Sequence, residues 1–187
     1  MNVLLENGTI RLRAPEPEDE ELLYAWENDT RIWENGASIV PLPRCIIRQY
    51  LADYRQDIYI DRQLRLMMTL RDTGEPVGTA DLYDFEPFHQ RAGVGILTAS
   101  AHRRRGYALQ ALALLEDYAF RFLNLRLLHA IIPERNAASI RLFHRAGYRQ
   151  TGLLEEWLRS GDSFGHALIM QRTNSGDKHN VNFLLKK

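Results

Sequence analysis

A chain of 187 residues is long enough to bury its own core as one domain without disulfides or a structural metal. Its 24 basic and 24 acidic residues cancel, so nothing global suits nucleic acid or an anionic membrane, and function must sit in a local site. The single cysteine, Cys45, excludes an internal disulfide framework and is expected as a buried or half-buried small hydrophobe; with no signal-peptide pattern or membrane-length apolar run, the chain reads as cytoplasmic.

Thr9 to Arg13 alternates as an edge-like strand that Pro15 and Pro17 end. From Glu18 to Glu27, Leu22, Leu23 and Trp26 form one apolar helical face behind an acidic first turn. A second helix is expected from near Pro43 to Tyr54, with Pro41 and Pro43 at its approach and first turn. Leu64 to Arg71 and Pro76 to Tyr83 read as strands joined by the turn Asp72-Thr73-Gly74-Glu75, and Arg91 to Thr98 as a third, across a polar turn near Pro87 to Gln90. A long helix follows, with Ala108, Ala111, Leu112, Leu115, Tyr118, Ala119 and Phe122 on one face. Then come a strand from Leu127 to Ile132, a short helix opening at Asn136 and stopped by Gly147, and a hairpin of Tyr148 to Trp157 with Phe164 to Gln171 around Ser160-Gly161-Asp162. The order β-α-α-β-β-β-α-β-α-β-β predicts a mixed α/β layer architecture, one domain over residues 1–172. The tail, residues 173–187, is polar and aperiodic, either flexible or packed on a neighbouring copy in a homo-oligomer.

Between the third strand of the middle group and the long helix stands Arg103-Arg104-Arg105-Gly106-Tyr107-Ala108. A strand that turns into a helix there aims several unpaired backbone N–H groups at one point, where the helix dipole adds roughly half a positive charge. Gly106 lets the backbone turn and come close to a ligand, and small Ala108 keeps the first helical turn uncrowded. The plainer reading is an exposed basic cluster. A Walker-type loop is excluded because no Gly-Lys-Ser/Thr follows, and a dinucleotide fingerprint because the third glycine is missing.

A second constellation runs from Leu128 through Pro133 into Asn136-Ala137-Ala138-Ser139, with Phe143 and Gly147-Tyr148 after it. Asn136 reads as a helix N-cap whose side chain can still offer its amide to a ligand between the two helix starts. Arg-x-x-Gly-x-Ala together with Asn-x-x-Ser before a Gly-aromatic pair resembles the GNAT superfamily of N-acetyltransferases. The resemblance covers about Thr9 to Arg172 and is nearest to the branch of spermidine N-acetyltransferases and ribosomal-protein N-terminal alanine acetyltransferases. Trp26-Glu27-Asn28-Asp29, Gly74 to Gly78, Tyr118 to Leu125 and Gly152-Leu153-Leu154-Glu155-Glu156 carry it further.

The resemblance implies a single-domain GNAT fold, a central mixed but mostly antiparallel sheet flanked by helices, with acetyl-CoA as co-substrate, an amine acceptor and direct transfer in a ternary complex. Backbone groups of Ile96, Leu97 and Thr98 would hold the pantetheine arm and acetyl carbonyl. Arg103 would begin the loop, N–H groups of Arg104, Arg105, Gly106, Tyr107, Ala108 and Leu109 would bind pyrophosphate, and Asn136, Ser139 and Phe143 would contact the coenzyme. Two departures concern proton transfer. Phe143 stands where many relatives carry a Tyr that protonates the leaving thiolate, and Gly93 where a Glu is often found. Water, Ser139 or the ammonium itself is then expected to supply that proton. Phe143→Tyr is expected to raise kcat about tenfold if the ring lies beside the sulfur, and only to destabilise the protein if the ring is core.

Acetyl transfer needs a neutral amine, a polarised thioester carbonyl and a proton for the departing sulfur. Deprotonating an amine of pKa near 10.4 at neutral pH costs about 4–5 kcal/mol, and a protein α-amine near 7.8 only about 1. The acceptors in view are a polyamine-like small amine and a protein N-terminus. A polyamine would need carboxylates, for which Glu34, Asp81, Asp84, Glu86, Glu155 and Glu156 are candidates, with Asp81, Asp84 and Glu86 expected to cluster at a strand end beside the cleft. His102 and His144 flank the motifs, as proton relays or as exposed polar residues, and no histidine spacing suggests a metal. The other class of function is a non-catalytic acyl-CoA-binding regulator, suggested by Phe143 and Gly93. A nucleic-acid adaptor built on Arg103 to Arg105 is disfavoured by the neutral net charge.

Overall fold

The computed structural model describes residues 4–33, 40–53, 57–160 and 162–174. Strands β1 (Ile10–Arg13), β2 (Leu64–Leu70), β3 (Pro76–Glu86), β4 (Arg91–Thr98), β5 (Leu127–Pro133), β6 (Arg149–Ser160) and β7 (Ser163–Thr173) form one sheet in the order β1-β2-β3-β4-β5-β7-β6. Neighbours β4 and β5 run parallel and the other neighbouring pairs antiparallel. The parallel step needs a crossover, which the helix between β4 and β5 supplies. The fold is therefore the GNAT arrangement expected: an open, mostly antiparallel sheet with helices on both faces.

Side-chain alternation assigns the two faces. Leu64, Leu66 and Met68 of β2, Ala80 and Leu82 of β3, Ala92 and Val94 of β4 and Leu128, Ala130 and Ile132 of β5 share one core with Ala111, Leu112 and Leu115 of helix α5 (Tyr107–Asp117) and Phe143 of helix α6 (Ala137–Arg145). Met67, on the opposite face of β2, packs with Leu23 of α1 (Glu20–Glu27) and with Ile47 and Leu51 of α3 (Arg44–Ala52). Sheet positions buried on both sides explain the nearly unbroken apolar run of β2.

Three sequence readings change. Short helices α2 (Thr30–Trp33) and α4 (Ile58–Asp61), of four residues each, carry too little periodicity to be read from sequence. Cys45 is exposed, because the inward face of α3 is set by Ile47 and Leu51. Phe122 is 61% exposed although its spacing from Leu115 is helical. From Tyr118 to Phe122 the backbone widens into a π-turn, with Leu123 N–H bonding Tyr118 C=O at 3.1 Å, and this rotates Phe122 off the core stripe. Its ring stacks on Tyr118 instead, centroids 5.3 Å apart.

The entry into α1 is locked by Arg13, whose two terminal nitrogens reach the Asp19 carboxylate at 2.7 and 2.8 Å while the Glu16 N–H adds a third bond at 2.8 Å. Burial alone would push the Asp19 carboxyl up, but these donors hold it below its usual value. A depressed carboxyl stabilises the fold above its unfolded pKa, near 3.8, and that contribution is lost as pH falls through the folded value. Asp19→Asn is therefore expected to cost about 3 kcal/mol at pH 7, since it strands a largely covered arginine. Below pH 3.8 the wild type progressively loses the same interaction, so the gap in urea midpoint between the two proteins should be narrower at pH 3 than at pH 7. A gap of equal size at both pH values would contradict this.

Candidate active site

Strands β4 and β5 pair at only three positions, Arg91 with Leu127, Ala92 with Leu128 and Gly93 with His129. Beyond these β4 keeps β3, with Val94 through Thr98 opposite Leu82 through Gly78, while β5 keeps β7. The sheet forks after Gly93, leaving one edge of Gly95, Ile96, Leu97 and Thr98 without a strand partner. Such an edge fits an extended, amide-bearing chain as an added strand.

The fork opens toward the start of α5. Gly106 caps that helix at φ +80°, and Arg104 also lies in the left-handed region at φ +64°. Alternation of this kind turns successive N–H groups to one side, a concavity suited to anions. Gln110 N–H makes the first helical bond, to Gly106 C=O at 3.3 Å, so Tyr107, Ala108 and Leu109 sit in the turn whose N–H groups have no helical acceptor. Arg103, Arg104 and Arg105 are exposed, and Arg103 Nε ties the loop back to Thr98 C=O at 3.2 Å. That bond joins the two halves of the site, strand edge and helix start.

Asn136 is the N-cap of α6, its Oδ1 accepting the Ser139 N–H at 3.1 Å, which leaves the amide nitrogen outside the cap interaction. Phe143 lies one turn beyond Ser139, 3% exposed and edge-on to Tyr148 with centroids 4.9 Å apart. This is the core placement. Phe143→Tyr is accordingly expected to bury an unpartnered hydroxyl and cost roughly 1–3 kcal/mol, with no gain in kcat. Thermal melts and turnover on the same variant check it; undiminished stability with a tenfold higher kcat would place the para position at the reacting sulfur after all.

The carboxylate candidates do not form one cluster. Asp81, level with Gly95, is held by Arg65 Nε at 2.8 Å, and Arg65 Nη1 also reaches Glu27 of α1 at 2.5 Å. Burial pushes the Asp81 carboxyl up, and Arg65 pulls it back; the guanidinium is held firmly charged by Asp81 and then Glu27. Glu86 lies at the closed end of the fork, paired in register with Arg91, and Asp84 is exposed at φ +48° beside an irregularity in β3. A strand read as ending at Tyr83 in fact runs on to Glu86, which carries these two residues away from the opening. Glu155 and Glu156 are exposed on β6, and Glu34 lies outside the described residues. Of the two flanking histidines, His144 is exposed, whereas the His102 side chain is 14% exposed and its Nε2 meets Glu75 at 3.3 Å.

Of the residues at the fork, Gly93 stands out in the sequence, whereas Tyr83 and His129 do not. A Cβ on Gly93 would lie 2.2 Å from the Tyr83 ring, so the glycine exists in contact with an aromatic side chain laid across it. Tyr83 continues over β5, edge-on to His129 at 6.0 Å between centroids. Gly93 in a strand was the available signal, because an interior strand glycine marks a close approach.

An acetyltransferase (GNAT) domain model matches residues 9–149. An uncharacterized N-acetyltransferase of Bacillus subtilis, YoaA, is 29% identical over 160 residues, covering 83% of this chain and 88% of the relative. The spermidine N(1)-acetyltransferase of Escherichia coli K12 is 28% identical over 106 residues, 56% of this chain and 57% of that one. In structure, the spermidine N-acetyltransferase of Vibrio cholerae in complex with CoA and spermine superposes with a TM-score of 0.81 at 20% identity, over 90% of this chain and 98% of the other.

Proposed function

The chain belongs to the GNAT acetyltransferase family, and from that premise we propose that it moves an acetyl group from acetyl-CoA to a primary amine by direct transfer within a ternary complex. The observation that carries this reading is the fork between β4 and β5 opening onto the start of α5. In it, the pantetheine arm lies along Ile96, Leu97 and Thr98 as an added strand, and the pyrophosphate takes N–H groups of Arg104, Arg105, Gly106, Tyr107, Ala108 and Leu109. Arg103 fixes the loop against β4. Asn136, through its spare amide, and Ser139 contact the coenzyme from the other helix start.

The acceptor enters on the sheet face shared with α1 and α3. There Arg65, Asp81 and Glu27 leave one negative charge in excess, enough to favour a cation without demanding a polyamine. A polyamine-like small amine is supported by what the Escherichia coli and Vibrio cholerae relatives act on or bind. A protein α-amine is supported by its lower cost of deprotonation. Rate comes chiefly from holding amine and thioester together in an unpaired backbone edge. Initial rates with both substrates varied test the direct route: intersecting lines are expected, and parallel lines, the sign of a covalent acyl-enzyme, would contradict it.

A further inference from the structure

We infer that His129 takes the proton from the acceptor amine, at the apex of the fork where β4 and β5 separate. The inference rests on the transferase reading above and adds the missing base to it. His129 is the β5 member of the last pair before the strands part, opposite Gly93. Tyr83, Gly93 and His129 stand in one cross-strand row, so their side positions share a face; Asp81, two residues from Tyr83, puts the Arg65 and Glu27 cluster on that same face. The imidazole is half-buried, and a neutral ring keeps one nitrogen with a free lone pair in either tautomer. Tyr83 holds the ring edge-on from the β3 side.

Burial lowers the His129 pKa below its usual 6.5, Asp84 on β3 pulling it back up and Arg91 on β4 pressing it down. Its register partner on β7, Gln171, is uncharged. The ring is therefore neutral at pH 7 and able to accept a proton. The carboxylates that could compete are engaged or turned outward, Asp81 and Glu27 by Arg65 and Asp84 by exposure.

In the step, the ammonium N–H bond gives its proton to His129, and the freed lone pair forms the C–N bond at the thioester carbon. The C–S bond breaks with its electrons on sulfur, the second amine proton ends on the thiolate, and imidazolium returns its proton to solvent. Amide, thiol and one released proton balance ammonium and thioester. A base this weak matches an α-amine near 7.8 better than a polyamine near 10.4, so it points to an acceptor of low amine pKa.

The test compares wild type with His129→Gln, which keeps a polar side chain but cannot take the proton, and with His129→Ala, assayed with spermidine and with an alanine-starting peptide. The expected result is kcat reduced about 100-fold or more with acetyl-CoA affinity, by calorimetry, within about threefold of wild type. The acidic limb of the wild-type kcat profile, which reports deprotonation of the base, disappears in His129→Gln, and added imidazole restores rate to His129→Ala. A His129→Gln enzyme that turns over within about threefold of wild type with the same acidic limb overturns the assignment while leaving the transferase reading intact. Wild type that binds acetyl-CoA but releases no CoA with either amine overturns both. Should His129→Gln melt early, imidazole rescue of His129→Ala, measured below its melting temperature, decides: no rescue with an unaltered pH profile counts against His129.

Discussion

Gly93→Glu is expected to be among the most damaging single substitutions in this protein. The new Cβ would fall 2.2 Å from the Tyr83 Cε2 and 2.4 Å from its Cζ, inside the ring rather than against it. Tyr83 has little room to yield, since it packs edge-on to His129. Forcing atoms into a filled space of this kind costs about 3 kcal/mol. In a chain of this size that is a fall in Tm of roughly 6–12 °C. Tyr83→Ala alone also destabilises, through the cavity it leaves. The double variant should lose less than the sum of the two by more than about 1 kcal/mol, because the smaller residue at 83 vacates the space the glutamate enters. Additive losses would mean that the two positions do not share the space.

Gly106→Val acts by a different route. Nothing lies within 4 Å of a Cβ built on Gly106, so no clash with the folded chain is involved. The obstacle is the backbone, which at φ +80° holds a conformation that a β-branched residue strongly resists. Relaxing that strain, of order 1–3 kcal/mol, turns the N–H groups of the loop away from their common point. Loss of acetyl-CoA affinity of at least about tenfold is expected, with the unliganded melting temperature changed far less than the liganded one. Wild type should rise in Tm with acetyl-CoA concentration, by about 2.7 kcal/mol of stabilisation at a hundred times Kd. The variant should need correspondingly more ligand for the same rise. An unchanged concentration dependence would remove this loop from the coenzyme site.

The two helix starts were readable because their signals are local. An arginine-rich turn with glycine before an amphipathic run, and an Asn three residues before the N–H it caps, are set by neighbours in sequence, and both stand where they were expected. The fork between β4 and β5 was not readable. Arg91 to Thr98 shows itself as a strand, but nothing in those eight residues tells that the parallel partner leaves after Gly93; that depends on pairing with residues more than thirty positions away. Pairing between separate elements also hid the Arg65 link to Asp81 and Glu27, 16 and 38 positions away, which turned a candidate free carboxylate into a paired one. Phe122 misled because the hydrophobic spacing assumes 3.6 residues per turn, and the π-turn at Tyr118–Phe122 breaks that assumption with no sequence marker. His129 carries no local signal either, because its place at the fork follows from its register with Gly93 on another strand.

Amine-dependent release of CoA distinguishes a transferase from a protein that only binds acyl-CoA. Purified protein should be given acetyl-CoA with spermidine, spermine, lysine or alanine-starting peptides in turn, with free thiol followed continuously and the acetylated product confirmed by mass spectrometry. At least one primary amine should accelerate thiol release well above the amine-free hydrolysis rate and appear as its N-acetyl product in equal amount. If acetyl-CoA binds, as a thermal shift would report, yet no amine accelerates thiol release, the chain is an acyl-CoA-binding protein and the proposed transfer does not occur.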